Sequence, residues 1–362
     1  MENQVVSASK NLLRLFEQLK PEAKGKVLVS SPLSVYLCLA LLGEGLTGNS
    51  FSQLKQVFGY KDHPQVVPAQ IQQALKALTS AANSGVLVAI SNSVYSAHDY
   101  PLKAAWIETL KAVYGSHAET VNFGDAATLP KINGRITEAT HGVLKNTIQK
   151  LDSNTASVLV NTIYFKGNWA ASFDPKETKK GSFTKSDGSS IQVDFLRKNG
   201  SKFALHTGAN AEYLAIPYAG ETVFFVVEMF NSKKIDNSSV EDVLKAANNP
   251  NQDKVNIKIP KFKAETRLDL IPVLKSLGVT GIFGPSADFA NISDAPLMVS
   301  QVIHQAFIQV DEVGTEAAAA TVAVMSRCMP EVFEADTPFA FHIVDRTSQL
   351  VLFSGAVDSP SF

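Results

Sequence analysis

Apolar residues recur every three or four positions in the first third of the chain, which is the spacing of one face of an α-helix. The first stretch carries Leu12, Leu13, Phe16 and Leu19 after Ser7 or Ser9. Further helices are predicted at 33–42, 51–58, 68–81, 102–114 and 132–150. Ser31 before Pro32 is typical of a helix start, and Gly43 of a helix end.

Short runs rich in β-branched and aromatic residues lie between and after these helices and predict strands. They cover 86–95, 157–165, 191–196, 213–217, 222–230, 254–262, 305–310, 340–344 and 350–357. In 254–262, Lys254, Asn256 and Lys258 alternate with apolar residues, which is typical of a strand with one solvent-exposed face. Helices and antiparallel-looking strands mixed irregularly, with no internal repeat or flexible linker, indicate one α+β domain over residues 1–362.

The amino-acid composition excludes several classes of protein. The chain is 45% hydrophobic and 19% charged, which excludes a disordered or coiled-coil protein. With 33 basic and 34 acidic residues the net charge is -1, so neither nucleic acid nor an anionic membrane is expected as a partner. Cys38 and Cys328 lie far apart and exclude a disulfide framework or a Cys-rich zinc site. No cofactor and no metal are expected.

Nothing at the N-terminus has the basic and apolar regions of a signal peptide, and the apolar stretch 33–42 is too short to cross a bilayer. We therefore expect a cytoplasmic protein, or one exported by a route that the sequence does not show. If Met1 replaces a removed signal, the protein would be secreted. The sequons at Asn199, Asn237 and Asn291 would then matter.

One motif has a nucleotide-binding interpretation. Gly43-Glu44-Gly45-Leu46-Thr47-Gly48 matches G-x-G-x-x-G. A dinucleotide site needs this motif after a strand, whereas here a predicted helix precedes it, so a helix end followed by a turn is favoured. The chain has no G-x-S-x-G, H-E-x-x-H or C-x-x-C motif. A Ser/His/Asp site that forms only in the folded chain stays open.

An unusually long connection follows the strand at 305–310. Roughly 25 residues lie before the next predicted strand, which is long for a compact domain. One interpretation is a helix over 316–324, because alanine favours helix. The other is an inserting strand, because the small residues at alternate positions would slide between two strands into a packed core. These residues are Thr315, Ala317, Ala319 and Thr321. No proline occurs at 314–329, and Gly314 would supply a hinge.

Motifs along most of the chain resemble those of the serpin family, in the family's order. The run Glu312-Val313-Gly314-Thr315-Glu316-Ala317-Ala318-Ala319-Ala320-Thr321 resembles the hinge of inhibitory serpins. The other motifs are Ser31-Pro32-Leu33-Ser34, Asn161-Thr162-Ile163-Tyr164-Phe165-Lys166-Gly167-Asn168-Trp169, Ile259-Pro260-Lys261-Phe262, Leu277-Gly278-Val279, Ile292-Ser293-Asp294, Val302-Ile303-His304-Gln305-Ala306-Phe307, Thr337-Pro338-Phe339 and Leu352-Phe353-Ser354-Gly355. Two positions depart from the family: Gly134 replaces a tryptophan and Thr337 a histidine. Both lie outside the hinge.

The resemblance implies the serpin fold, with three β-sheets, about eight or nine helices and an exposed reactive-centre loop at about 312–335. It implies a monomeric suicide-substrate inhibitor of serine proteases rather than an enzyme. The protease would cleave the loop and form an acyl bond, and the loop would then insert as a new strand of the central sheet. The alternative is a non-inhibitory serpin acting as a chaperone, carrier or storage protein. Its hinge would carry bulky, charged or proline residues, so the small residues here argue against it.

The resemblance also implies roles for residues outside the hinge. His304 resembles the shutter histidine of the family, with Ser31, Ser34 and Asn161 as its hydrogen-bond partners. Trp169 resembles the breach residue at the point of insertion, and Lys261 with Glu312 resembles an ion pair that closes the breach. The alternative is that these are ordinary buried polar groups. The predicted helix at 68–81 carries Lys76 as its single basic residue, which argues against a heparin-like cofactor site there.

Two counts place the reactive bond differently. Counting back from Pro338 in the family pattern puts it after Arg327, whereas counting forward from Gly314 puts it after Cys328. We favour the bond Arg327–Cys328, because arginine fits the acidic pocket of a trypsin-like protease. Cys328 before the bond would indicate an elastase- or chymotrypsin-like target, and Met325 and Met329 are further candidates.

We predict that trypsin releases a C-terminal fragment beginning at Cys328, and mass spectrometry of that fragment measures this directly. The substitution Arg327→Ala should abolish inhibition of trypsin, because no other basic residue lies in the stretch 322–331. A fragment that begins at Met329, or full inhibition of trypsin by the variant, would contradict this assignment.

Overall fold

The computed structural model of the chain describes residues 4–62, 66–80, 85–250, 253–284, 287–313 and 330–362. The predicted hinge at 314–321 and the predicted reactive bond between Arg327 and Cys328 lie outside the described residues.

The described residues form eight α-helices and two short 3₁₀ helices, Lys20–Ala23 and Gly281–Phe283. The α-helices are α1 (Gln4–Leu19), α2 (Pro32–Gly43), α3 (Gly48–Phe58), α4 (Ala69–Ser80), α5 (Ala104–Tyr114), α6 (Thr128–Ala139), α7 (Val240–Asn248) and α8 (Ile271–Ser276). Every residue of α2 is buried, so this helix is an inner element of the fold.

Fourteen strands complete the described fold. They are β1 (Val27–Ser30), β2 (Val86–Ala97), β3 (His117–Val121), β4 (Ser157–Gly167), β5 (Lys179–Thr184), β6 (Ser190–Thr207), β7 (Ala211–Pro217), β8 (Val223–Phe230), β9 (Asp253–Pro260), β10 (Phe262–Asp269), β11 (Gln301–Val310), β12 (Glu331–Glu334), β13 (Phe339–Asp345) and β14 (Leu350–Val357). The mixture confirms the predicted α+β class.

Hydrogen bonding arranges these strands in two sheets. A five-stranded sheet has the order β10-β11-β4-β2-β3. The larger sheet follows β1-β14-β13-β8-β7-β6-β9-β12, with β5 also paired to β6. The long strand β6 pairs with β9 along one part and with β7 along another, so it joins two smaller sheets. Counting these two separately gives the three sheets that the family resemblance implied.

Two sequence predictions need correction. The helix predicted at 132–150 ends in the structure at Ala139, followed by positive φ angles at His141 (53°) and Gly142 (81°). Leu144 and Ile148 keep helical spacing but lie in an irregular segment that returns along α6, where the Asn133 side chain bonds both backbone groups of Ile148. The strand predicted at 254–262 is two strands, β9 and β10, divided at Lys261.

The glycine-rich motif begins at Gly43, the last residue of α2, and ends at Gly48, the first residue of α3, so it joins two helices and has no strand before it. This confirms the predicted helix end and turn. Among the helices described, none is long and apolar enough to cross a membrane.

Gly355 permits close packing between the neighbours of β14. A Cβ atom there would lie 2.1 Å from Phe341 Cζ and 2.7 Å from the Leu28 carbonyl oxygen. In contrast, Gly134 on α6 is exposed and has no atom within 4 Å of its Cβ position.

We predict that Gly355→Ala lowers the free energy of unfolding by about 2 kcal/mol, because the added methyl group overpacks a rigid site. The matched variant Gly134→Ala should leave it unchanged or raise it by up to about 1 kcal/mol, since alanine is the better helix former. Denaturant titration measures both, and equal effects of the two variants would contradict this packing.

Candidate functional site

Strands β4 and β11 lie side by side at the centre of the five-stranded sheet and run parallel. We call their boundary the seam. Pairing extends from Gln301 opposite Val158 to Phe307 opposite Tyr164. It stops there although both strands continue for three more residues, Ile308–Val310 on β11 and Phe165–Gly167 on β4.

The outer edges of both strands stay paired beyond that point. Val310 lies opposite Phe262 of β10, and Gly167 lies opposite Val86 of β2. The two inner edges therefore face each other, and no described strand pairs with them. Backbone N–H and C=O groups at such edges are available to a further strand.

A buried polar network crosses the middle of the seam. His304 and Asn161 are direct partners across it, and the His304 Nδ1 atom lies 2.5 Å from Asn161 Oδ1. The backbone N–H of Ser31 donates to His304 Nε2 over 3.1 Å. Because Nε2 accepts, the proton of the neutral ring is on Nδ1 and is donated to Asn161. All three side chains are fully buried.

Burial lowers the pKa of His304 to about 3, because removal from water disfavours the charged ring. The imidazole is therefore neutral at pH 7. A charged ring would carry protons on both nitrogens and would lose the bond that Nε2 accepts from Ser31.

Helix α2 carries two further members of the network at its start. Ser31 caps the helix by accepting the Ser34 N–H at 3.1 Å, and its hydroxyl donates to the Leu352 carbonyl over 2.6 Å. The Asn161 amide donates to Ser34 Oγ over 2.5 Å and to the Ser34 carbonyl over 3.0 Å. The structure thus brings together all four residues of the predicted shutter.

Asn92 belongs to the same network and was not predicted. It lies on β2 opposite Asn161, whose amide donates to Asn92 Oδ1 over 2.5 Å. The signal in the sequence was the polar run Ser91-Asn92-Ser93 inside an otherwise apolar strand. A polar residue at a buried strand position needs a hydrogen-bond partner, and Asn161 supplies it.

Trp169 lies just beyond the unpaired end of the seam. Its indole stacks on Tyr218 with 4.6 Å between the ring centroids, and its Nε1 donates to the Asp311 carbonyl over 2.8 Å. The side chain is 5% exposed. Trp169 therefore connects the end of β4 to the segment that follows β11.

An ion pair holds the next residue of that segment. Lys261 Nζ lies 2.9 Å from Glu312 Oε2, and Thr178 Oγ1 donates to Glu312 Oε1 over 2.8 Å. Partial burial opposes ionisation of Glu312, but the bonds from Lys261 and Thr178 outweigh it and hold the pKa of this carboxyl below its usual value. Both charged side chains are largely buried, so the pair is better protected from solvent than an exposed one. Thr178 was missed because nothing in the sequence relates it to residue 312.

The described chain leaves the seam at Val313 and returns at residue 330, ahead of β12. Strand β12 pairs in parallel with β9 at an edge of the other sheet. The predicted reactive-centre loop is thus anchored at the unpaired end of the seam on one side and at a sheet edge on the other.

Comparison with known proteins agrees with this architecture. The chain matches the family model described as serpin (serine protease inhibitor) over residues 8–360. It is 27% identical to neuroserpin of Rattus norvegicus over 96% of this chain and 90% of neuroserpin. It is 31% identical to an uncharacterized serpin-like protein of Methanosarcina acetivorans over 92% of this chain and 81% of that protein.

Solved structures show the same fold. Serpin-12 of Manduca sexta superposes with a TM-score of 0.87 at 24% identity, covering 98% of this chain and 99% of that one. Human thyroxine-binding globulin complexed with thyroxine also gives 0.87, at 24% identity over 99% of this chain and 98% of that one. At such identities the likeness concerns the fold alone.

The network makes the free energy of unfolding depend on pH between about 6.5 and 3. His304 has a pKa of about 3 when folded, and an unfolded histidine has one of about 6.5. The unfolded chain therefore binds one more proton in this range, so the free energy of unfolding falls by up to about 1.4 kcal/mol for each pH unit as pH decreases. The contribution is fully present above pH 6.5.

We predict that His304→Gln reduces this slope, because glutamine does not titrate. Denaturant titrations at pH 7, 6 and 5 measure it, above the range in which most carboxylates titrate. His98→Gln is the matched control, since His98 is exposed in a turn and should leave the slope unchanged. If the His304→Gln variant kept the slope of the wild type, the assignment of a neutral, buried imidazole to His304 would be wrong.

Proposed function

The chain belongs to the serpin family, and on this premise we propose that it is an inhibitory serpin that traps serine proteases by inserting its cleaved loop into the seam. The unpaired end of the seam is the observation that carries the proposal. There the facing edges of β4 and β11 have no partner strand among the described residues, and the predicted hinge begins four residues after β11 ends.

The direction of the chain favours insertion. A segment that leaves the end of β11 and turns back into the sheet runs antiparallel to β11. Because β4 is parallel to β11, the same segment is antiparallel to β4 as well. One parallel ladder would thus be replaced by two antiparallel ladders, and antiparallel pairing is slightly more stable per residue.

The size of the hinge side chains decides whether the hinge can insert between β4 and β11. Thr315, Ala317, Ala319 and Thr321 would share one face of the inserted strand, because side chains alternate along a strand. Their small volumes suit a packed interior, in which even one extra methylene group is felt. Insertion would also satisfy backbone groups that solvent contacted before.

Insertion would require the network at the seam to open. As β4 and β11 separate, the bond between His304 and Asn161 would break, and each buried group left without a partner costs about 1–3 kcal/mol. This cost opposes insertion before cleavage. The pairing of a complete new strand outweighs it once the loop is cut.

A protease that has formed an acyl bond to the loop would travel with it. About 14 inserted residues at roughly 3.3 Å each make a strand on the order of 45 Å long. A misplacement of about 1 Å in a catalytic centre can cost 10²-fold in rate, so distortion of the protease would stop deacylation. With Arg327 before the reactive bond, trypsin-like proteases are the proposed targets.

Sharing the serpin fold does not by itself show that a protein inhibits proteases. Thyroxine-binding globulin, named for a ligand, shares the fold. The proposal therefore depends on the small face of the hinge and on the unpaired end of the seam.

We predict that the wild-type chain forms a complex with trypsin that survives a denaturing gel, and that Thr315→Arg turns the inhibitor into a substrate. Arginine at this position would bury an unpaired charge at a cost of several kcal/mol. Glu316→Arg is the matched control, because position 316 falls on the opposite face of the inserted strand and should keep inhibition.

The ratio of chain to trypsin needed for complete inhibition measures the effect. It should rise severalfold for Thr315→Arg and stay near that of the wild type for Glu316→Arg. Equal ratios for the two variants would exclude insertion in this register. Complete turnover of the wild type without any stable complex, by trypsin and other serine proteases, would favour the non-inhibitory alternative.

A further inference from the structure

Strand β6 carries a bulge where its pairing with β9 changes register. Lys198 lies opposite Ile257 and pairing resumes at Ser201, so two residues of β6, Asn199 and Gly200, oppose a single residue of β9. Two residues opposite one is the count of a β-bulge, which interrupts the regular ladder. Gly200 has a φ angle of 60°, which glycine adopts without the steric cost that a Cβ atom adds.

The single residue of β9 at the bulge is Asn256, and its side chain gives Gly200 a hydrogen-bond partner. The Gly200 N–H donates to Asn256 Oδ1 over 2.8 Å. Asn199 and Gly200 are both exposed. Within the described parts of the chain, the Asn199 side-chain amide has no hydrogen-bond partner. The Asn199 amide is therefore free to rotate, whereas the backbone nitrogen that follows it is held by Asn256.

An asparagine followed by a glycine is chemically labile. The side-chain carbonyl carbon of the asparagine comes within reach of the next backbone nitrogen, and glycine has no side chain that hinders the approach. The reaction requires a side-chain amide that is not held and a backbone that rotates until the two atoms meet. An exposed bulge satisfies these conditions better than the interior of a helix, in which hydrogen bonds fix the backbone dihedrals.

The chain contains a second Asn-Gly pair, Asn133-Gly134, which satisfies neither condition. The Asn133 side chain donates to the Ile148 carbonyl and accepts from the Ile148 N–H, both over 2.9 Å. Gly134 lies inside α6, where the helical backbone is fixed by its hydrogen bonds. Asn133 is therefore an internal reference, with the same dipeptide in a protected environment.

We propose that Asn199 is a site of spontaneous deamidation and that Asn256 slows the reaction. The backbone nitrogen of Gly200 attacks Asn199 Cγ, a bond forms between these two atoms, and the bond from Cγ to Nδ2 breaks. Ammonia leaves with the proton of the Gly200 N–H, and a five-membered succinimide ring remains. Because this N–H must first leave Asn256 Oδ1, the bond to Asn256 opposes the attack.

Water completes the reaction as the second reactant. It adds to one of the two ring carbonyl carbons, and the ring nitrogen leaves that carbon and takes up a proton. Addition at Cγ gives aspartate, whereas addition at the main-chain carbonyl carbon gives isoaspartate, in which the chain continues through the former side chain. The new carboxyl group ionises at pH 7. The product therefore has one more negative charge than the net -1 of the unmodified chain.

Incubation of the intact chain in mildly alkaline buffer, followed by peptide mapping, tests the site. We expect the peptide that contains Asn199 to gain about 1 Da with time and to separate into aspartate and isoaspartate forms. Asn133 should stay unmodified over the same period. The chain is made in a host that attaches no N-linked glycan, because Asn199 begins a sequon and a glycan would occupy Nδ2. The mapping protease must not cut after lysine, since Lys198 and Lys202 flank the site.

Three variants separate the site from the residue that slows it. Asn256→Ala removes the acceptor of the Gly200 N–H and should raise the rate at Asn199 severalfold. Asn256→Asp keeps an oxygen acceptor at the same place and should react no faster than the wild type. Asn199→Gln keeps an amide on a longer side chain, so the five-membered ring cannot form and the mass change should disappear. The rate at Asn133 in the same samples shows whether a variant loosens the whole fold.

A synthetic peptide of residues 196–203 gives the rate of the same dipeptide without the fold. If Asn199 in the intact chain were unmodified after a period in which this peptide reacts completely, the site would be overturned. Equal rates at Asn199 and Asn133 in the wild type would also overturn it. If Asn256→Ala left the rate at Asn199 unchanged, or raised the rates at Asn199 and Asn133 equally, the role of Asn256 would be wrong.

Discussion

Buried polar groups must keep their hydrogen bonds, and at the centre of this fold that requirement holds two parallel strands together. Asn92, Asn161 and His304 stand side by side on three neighbouring strands and bond one another, while Ser31 and Ser34 at the start of α2 complete the set. Separating β4 from β11 anywhere near these residues leaves buried donors and acceptors without partners. The closed sheet is therefore held at its middle and left unpaired at one end, which is the arrangement that entry of a further strand requires.

The buried elements of the fold could be predicted from local patterns. Helix α2 follows from a serine cap, a proline in the first turn and a continuous apolar run, and the one-sided alternation of β9 follows from its lysines. The error at 132–150 has a physical origin. Leu144 and Ile148 have helical spacing, but they lie in an irregular segment that packs back against α6. The same spacing of apolar residues is therefore found in a backbone that is not helical. Periodicity alone cannot distinguish these two cases.

Residues of the site that lie in the family's motifs could be predicted from the sequence. Residues that join the site only through the folding of distant segments could not. The partners of His304 could be named in advance, whereas the pairing of Asn92 with Asn161 depends on the register of β2 against β4. Thr178 lies just before β5 and meets Glu312 only in the folded chain.

We propose that the closed five-stranded sheet stores free energy that insertion of the cleaved loop releases. Most proteins lose stability when the backbone is cut, because a nick removes a constraint on the chain. In the proposed mechanism the cut would free a strand that adds two ladders of hydrogen bonds to the middle of the sheet. The most direct test is the melting temperature of the intact chain against that of the chain cleaved within 314–329, measured by calorimetry under identical conditions. We predict that the cleaved form melts well above the intact one. A cleaved form that melts at or below the intact temperature would exclude the release of stored free energy by insertion.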